Sequence, residues 1–151
     1  KEMGLKIKKL SNSSYEIYCK KLKSIKKIST KEFPGYPTDL QAQLIATQLK
    51  SGIKSKVVEN IFENRFIHIP ELRRFGANLS IKGNTVTIDK TYNLLGAEVM
   101  ATDIRASFSL IIAAMMSKGK TVINRIYHLD RGYEDFDLKL KKCGVNISRK
   151  K

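Results

Sequence analysis

Thr38-Asp-Leu-Gln-Ala-Gln-Leu-Ile-Ala-Thr-Gln-Leu49 and Thr102-Asp-Ile-Arg-Ala-Ser-Phe-Ser-Leu-Ile-Ile-Ala-Ala-Met-Met116 open alike, 64 positions apart, and each apolar run stops at a glycine, Gly52 or Gly119. The likeness continues downstream. Val57-Val58 is matched by Thr121-Val122-Ile123, and Ile61-Phe62 by Ile126-Tyr127. Arg65 roughly matches Arg131, and Phe75-Gly76-Ala77-Asn78 matches Cys143-Gly144-Val145-Asn146. Met3-Gly4-Leu5-Lys6-Ile7 resembles the glycine-centred end of both copies. A repeat that cannot bury its apolar face alone must pack against its copies. The period is too long for a helix-pair solenoid, so each unit is a small α/β module.

One module reads as helix, strand, helix, strand, strand, with a further strand ahead of it. Thr38 is a good N-cap and Gln41, three residues on, completes a capping box. The second copy, Thr102 to about Ser117, is apolar nearly all round, the pattern of a helix buried on all sides. Residues 57–62 and 121–127 read as strands from their β-branched and aromatic content. Short amphipathic helices follow, Pro70 to Phe75 and Tyr133 to Lys142. Asn78–Ile81 and Thr85–Ile88, joined by Gly83-Asn84, alternate like a hairpin. Buried helices behind an outer sheet is the economical packing. The first copy starts before residue 1, so the expectation is a truncated first repeat and lysine-rich strand and loop over 1–31. A second repeat is expected over 32–90 and a third over 91–151, the whole being the C-terminal part of something longer.

Of the 151 residues, 42% are hydrophobic, enough for a sizeable core, and 28% are charged. The formal net charge is +15, which excludes an acidic solvating protein and points to anionic partners. Residues 1–31 hold ten lysines and two glutamates, and of all basic residues 22 are Lys and 7 are Arg. Lysine is the usual solvated charge, whereas arginine suits bidentate recognition of phosphate and carboxylate. An exposed lysine-rich strand and loop therefore explains the first 31 residues better than nucleic-acid binding does. Ile104–Met116 is too short to span a bilayer and is interrupted by Arg105, and Lys1–Ile7 has no apolar stretch behind it to make a signal peptide. Cys19 and Cys143 stand far apart without metal spacing, which fits a reducing, cytoplasmic compartment.

Four longer motifs sharpen the reading: Phe33-Pro-Gly-Tyr-Pro-Thr-Asp-Leu-Gln-Ala-Gln43, Ile61-Phe-Glu-Asn-Arg-Phe66, Met100-Ala-Thr-Asp-Ile-Arg-Ala-Ser107 and Arg125-Ile-Tyr-His-Leu-Asp-Arg-Gly-Tyr133. In this order they resemble the UDP-N-acetylglucosamine 1-carboxyvinyltransferases, enolpyruvyl transferases that begin peptidoglycan precursor synthesis. The resemblance runs from about Phe33 to the C-terminus, and more weakly before it. It implies an inside-out α/β barrel of repeated units, helices inside and sheets outside, here incomplete. It implies transfer of the enolpyruvyl group of phosphoenolpyruvate to the 3-hydroxyl of UDP-N-acetylglucosamine, with release of phosphate and with no cofactor or metal.

Such chemistry needs a base near the hydroxyl, a proton donor to the vinyl carbon, and cations around phosphate and carboxylate. By resemblance, Asp39 contacts the attacking hydroxyl as its base. From the residues alone it would be a first-turn carboxylate suited to the helix dipole. Ile61 matches the position that binds the sugar nucleotide through its backbone, while periodicity makes it a core strand residue. Arg65, Arg105 and Arg131 match the arginines around phosphoenolpyruvate and the intermediate. Arg105 interrupts an apolar helix, and a buried arginine needs an anion or an acidic partner. Asp103 supplies that partner or assists proton transfer. Glu63 and Asp130 are orienters, His68 and His128 have surface or packing roles, and Tyr36 and Tyr133 pack or line the rim.

The reactive cysteine that the resemblance implies lies in a separate domain, and neither Cys19 nor Cys143 has its setting. The expected partners are UDP-N-acetylglucosamine, phosphoenolpyruvate and the missing N-terminal part, with no membrane and no nucleic acid. The chain alone is expected to be inactive. Two other readings stand beside this one: a decayed remnant without catalysis, and a basic nucleic-acid-binding domain supported only by charge.

Overall fold

The computed structural model describes residues 2–150; Lys1 and Lys151, the ends of the first and last expected repeats, lie outside the described residues. A hairpin comes first, β1 (Lys6–Lys9) and β2 (Tyr15–Tyr18), paired with Ile7 opposite Ile17. The central unit runs β3 (Lys27–Ser29), a 3-10 turn at Thr38–Leu40, α1 (Gln41–Gln48), β4 (Ser55–Val58), α2 (Ile69–Arg74), β5 (Leu79–Lys82) and β6 (Thr85–Ile88). Its sheet has the order β3-β4-β6-β5, with β3 parallel to β4 and the other neighbours antiparallel. The last unit runs β7 (Glu98–Met100), α3 (Ile104–Met116), β8 (Val122–Asn124), α4 (Tyr127–Asp130) and α5 (Phe136–Lys142). There β7 and β8 pair in parallel, the counterpart of β3 and β4.

The two units thus share a parallel strand–helix–strand crossover followed by a helix. Gly4, Gly76 and Gly144 mark the repeat in the backbone as well as in the sequence, since φ is +84°, +83° and +87° at the three. A left-handed residue ends a helix or turns the chain into the following strand, and glycine adopts it without strain.

Helices α1 and α3 lie against each other, and their shared side is the core. Leu44, Ile45, Ala46 and Leu49 meet Leu110 and Ala113, joined by Val57, Val86 and Ile88 from the inner face of the sheet. The outer face is polar: Lys56 and Thr85 alternate with Val57 and Val86, as expected for a sheet solvated on one side. A smaller cluster of Ile111, Leu129 and Phe136 packs α4 and α5 under α3. Helices are inside and strands outside, and the sheets do not close into a barrel. Among the described residues no helix is long and apolar enough to cross a membrane.

Several local expectations change. Strand β4 ends at Val58, not at 62, because Glu59 turns inward and the chain leaves the sheet. Ile61 is therefore a half-buried loop residue and not a strand residue. The segment read as a strand to 127 leaves the sheet after Asn124 and coils into α4, while the helix expected from Tyr133 starts at Phe136. Helix α3 is fully buried on only one side, with Met115 46% exposed on the other. No capping box forms at Thr38, where the chain enters through a 3-10 turn and both Thr38 and Gln41 point their side chains at Glu59.

Candidate active site

The equivalent residues Asp39 and Asp103 stand at the starts of the two central helices, and the structure uses them differently. Asp103 is the N-cap of α3: one carboxylate oxygen accepts from the backbone N–H of Arg105 at 2.7 Å and of Ala106 at 2.9 Å. This satisfies two of the helix's orphan donors. Asp39 has no capping role. Its Oδ1 accepts from Arg65 Nη2 at 2.9 Å and from Arg105 Nε at 2.6 Å. The partner of Arg105 is thus Asp39, one helix away, and not Asp103, whose carboxylate is turned to its own backbone.

Arg105 is not the buried arginine that its apolar surroundings suggested, since 42% of its side chain is exposed. Lying at the first turn of α3, it reaches outward from the helix end. Asp39 is 61% exposed and Arg65 17%. Pairs at this exposure contribute little to folding, so stability is a weak reason for two arginines to converge on one carboxylate. Arg65 is held from a second side by Phe62, whose ring lies 4.5 Å below the guanidinium carbon, a cation–π contact. The loop that carries both residues turns tightly at Asn64, where φ is +52°, a conformation that asparagine tolerates better than most residues.

Behind this triad lies a cavity of about 10 Å³, lined by Thr38, Gln41, Ala42, Arg65, His68, Asp103, Arg105 and Ala106. His68 is 1% exposed and its Nε2 has no partner among the described residues; Gln41 Oε1 is buried and unpartnered as well. Burial pushes the imidazole down from 6.5 to about 4, against an opposing pull from the Asp103 charge. His68 is therefore neutral at pH 7 and belongs to the site wall, not to the surface.

Glu59 was not singled out by its sequence and stands at the centre of the arrangement. It is 3% exposed. Its Oε1 accepts from Thr30 Oγ1, Ile61 N and Phe62 N, and its Oε2 from Thr38 Oγ1 and Gln41 Nε2. Burial would raise its pKa, but the hydrogen bonds from Ile61, Thr30, Thr38 and Phe62 outweigh it and hold the group below the usual value. Glu63, the acid that seemed the orienter, is exposed.

Arg131 bonds to none of the triad residues among the described residues. It caps the C-terminal end of α4 and lines a separate open depression with Asp130, Tyr133, Asp135 and Asp137. Asp130 in turn is bound by Arg149 at 2.9 Å, together with Asp137. Tyr133 stacks on Phe108 with centroids 4.4 Å apart, and Tyr36 packs against the core with its hydroxyl donating to the Leu40 carbonyl. Burial raises the Tyr36 phenol to about 12. Cys19 and Cys143 are both exposed free thiols far along the chain from the triad.

The fold is that of the enolpyruvyl transferases. The enolpyruvyl transferase NikO from Streptomyces tendae superposes with a TM-score of 0.84 at 25% identity, over 97% of this chain and 34% of that one. An EPSP synthase from Acinetobacter baumannii follows at a TM-score of 0.72 and 15% identity, over 99% of this chain and 35% of that one, a likeness of fold alone. The chain belongs to the EPSP synthase (3-phosphoshikimate 1-carboxyvinyltransferase) family, which matches residues 1–140. Within it, the chain is 52% identical to a UDP-N-acetylglucosamine 1-carboxyvinyltransferase of Pelagibacter ubique, over 99% of this chain and 36% of that protein. Proteins of the same name from Rhodopseudomonas palustris and Rickettsia prowazekii are 57% and 47% identical, over 81% and 98% of this chain and 28% and 35% of theirs. The chain spans about a third of the length of these relatives.

Proposed function

We propose that this chain supplies one side of the active site of a UDP-N-acetylglucosamine 1-carboxyvinyltransferase. In this reaction the sugar 3-hydroxyl oxygen bonds to C2 of phosphoenolpyruvate while C3 gains a proton. The C2–O bond to phosphate then breaks as C3 loses a proton. The observation that carries the reading is Asp39, exposed, with Oδ1 bound to two arginines and Oδ2 engaged by neither. Oδ2 accepts the proton of the attacking hydroxyl, as a general base must from within hydrogen-bond reach. Arg65 and Arg105 leave the triad one positive charge in excess, and they bind and stabilise the charge on the phosphate and carboxylate of phosphoenolpyruvate. The names of the relatives support UDP-N-acetylglucosamine as the acceptor of a carboxyvinyl group.

Ile61 contributes its backbone. Its N–H is already given to Glu59, so the carbonyl oxygen, which accepts no hydrogen bond among the described residues, is the group left for the sugar nucleotide. Arg131 joins the same reaction when substrate binding draws it toward the triad, in the manner of sites that close on substrate, and Asp103 serves it by fixing the start of α3 that carries Arg105. Residues outside this chain supply the proton donor to C3, including the reactive cysteine, so the chain alone turns over no substrate. The two repeats over 32–90 and 91–151 are the units that place Asp39 and Arg105 face to face.

The test is a calorimetric titration of UDP-N-acetylglucosamine into the protein of full relative length that carries this chain. Saturable binding, weakened at least tenfold by Asp39→Ala, supports the reading. Equal binding by the Asp39→Ala protein removes Asp39 from the sugar site.

A further inference from the structure

The segment that carries Arg65 and the turn that carries Asp39 meet on one buried carboxylate, Glu59. Thr38, the residue before Asp39, gives its hydroxyl to Oε2 at 2.9 Å. Ile61 and Phe62, at the start of the loop that ends in Arg65, give their N–H groups to Oε1 at 2.9 and 3.2 Å. Thr30, at the end of β3, gives its hydroxyl to the same oxygen at 2.8 Å. All of these partners are donors, and an ionised carboxylate is the one side chain with only acceptors to offer. No cation pairs with Glu59 among the described residues. A buried charge without a counterion is a poor device for stability, and an apolar residue of similar volume often serves as well. Its value lies in what it joins.

We propose that Glu59 is the positioning residue of this active site, fixing Asp39 and Arg65 relative to each other by holding the two backbone segments on opposite oxygens of one carboxylate. It also orients Gln41: with Nε2 turned to Glu59 at 3.5 Å, Gln41 presents its unpartnered Oε1 to the buried space beside the triad. The inference rests on the proposed function for its kinetic consequence, but not for its geometric one.

Glu59→Gln keeps one acceptor oxygen and puts an amide donor where the other faced Thr38 and Gln41. Thr38→Val cuts only the link to the Asp39 turn. In the full-length protein both variants lower kcat/KM per folded molecule, Glu59→Gln by roughly 10- to 100-fold, as expected when reacting groups are set about an ångström off. Glu59→Asp, which keeps the acceptor-only headgroup, recovers part of that loss. In Glu59→Gln the Ile61 and Phe62 amides exchange with solvent faster, because the oxygen that accepts from them is neutral and no longer anchored from its other end by Thr38.

A purely structural role predicts a lower Tm with kcat/KM per folded molecule within twofold of the unaltered protein in both variants, and that result overturns the proposal. Should Glu59→Gln fail to fold, Thr38→Val decides alone. Should the unaltered protein transfer no enolpyruvyl group, the functional reading falls by itself. The positioning claim is then decided by amide exchange, and unchanged protection of Ile61 and Phe62 in Thr38→Val and Glu59→Gln overturns it.

Discussion

Two arginines from different repeats share one oxygen of Asp39, whose side chain is exposed, and neither engages its second oxygen. If Oδ2 is the base, Asp39→Asn keeps the size and most of the contacts but lowers kcat by about 10²- to 10⁴-fold, the usual range for losing a general base. Steady-state phosphate release measures it. Arg105→Lys keeps the charge and loses the planar fork, and an increase in KM for phosphoenolpyruvate is the expected outcome. Asp39 and Arg65 were singled out by the resemblance of their motifs, since Asp39 alone reads as a first-turn carboxylate, whereas Arg105 also stood out as a charge in an apolar helix. Glu59 was not legible. It follows a β-branched strand and sits four residues before another glutamate, and nothing local marks which of the two turns inward. Its partners Thr30 and Thr38 are 29 and 21 positions away, and only the crossover from β3 to β4 brings them together.

At the scale of elements, the α1–α3 contact is the core, and Leu110 at 0% exposure sits in it. Leu110→Ala leaves a cavity between two helices whose other side chains are already packed, and a loss of about 2–5 kcal/mol in urea unfolding is expected. His68 at the entrance to α2 carries a pH signature. Its folded pKa, about 4, lies below its ordinary 6.5, so the unfolded chain binds its proton first as pH falls. The neutral histidine's contribution is fully present above pH 6.5 and is lost between pH 6.5 and 4, on the order of 3 kcal/mol in all. His68→Leu should flatten the fall of Tm over that window, and an unchanged slope would contradict the burial of the ring. Glu59, held below its usual pKa, loses its share in the same direction at still lower pH. The sequence patterns of helix and hairpin transferred well to the structure because their periodicity is set by burial. The ends did not: β4 stops early for a buried carboxylate, and α4 forms where aromatic and β-branched residues suggested a strand. In both places a tertiary contact overrides local preference.

Across the whole molecule, charge is spread unevenly. The first 31 residues carry ten lysines and a hairpin whose Ile7, Tyr15 and Ile17 are 44%, 57% and 63% exposed, while Asp39 and Arg105 of the proposed site stand at the starts of α1 and α3. The repeat was legible as a repeat, but that it brings Asp39 and Arg105 together across two helix starts was not read from it. The position of Arg131 was not legible either, because its match to Arg65 is loose and it ends α4, lining a depression with Arg149 instead. The chain by itself should release no phosphate from phosphoenolpyruvate in the presence of UDP-N-acetylglucosamine. The measurement that tests the central claim most directly is the same assay on the full-length protein, unaltered and as Asp39→Asn. Phosphate release that requires both substrates, cut at least a hundredfold in Asp39→Asn, is the predicted result. Release that is absent from the unaltered protein, or undiminished in Asp39→Asn, would contradict it.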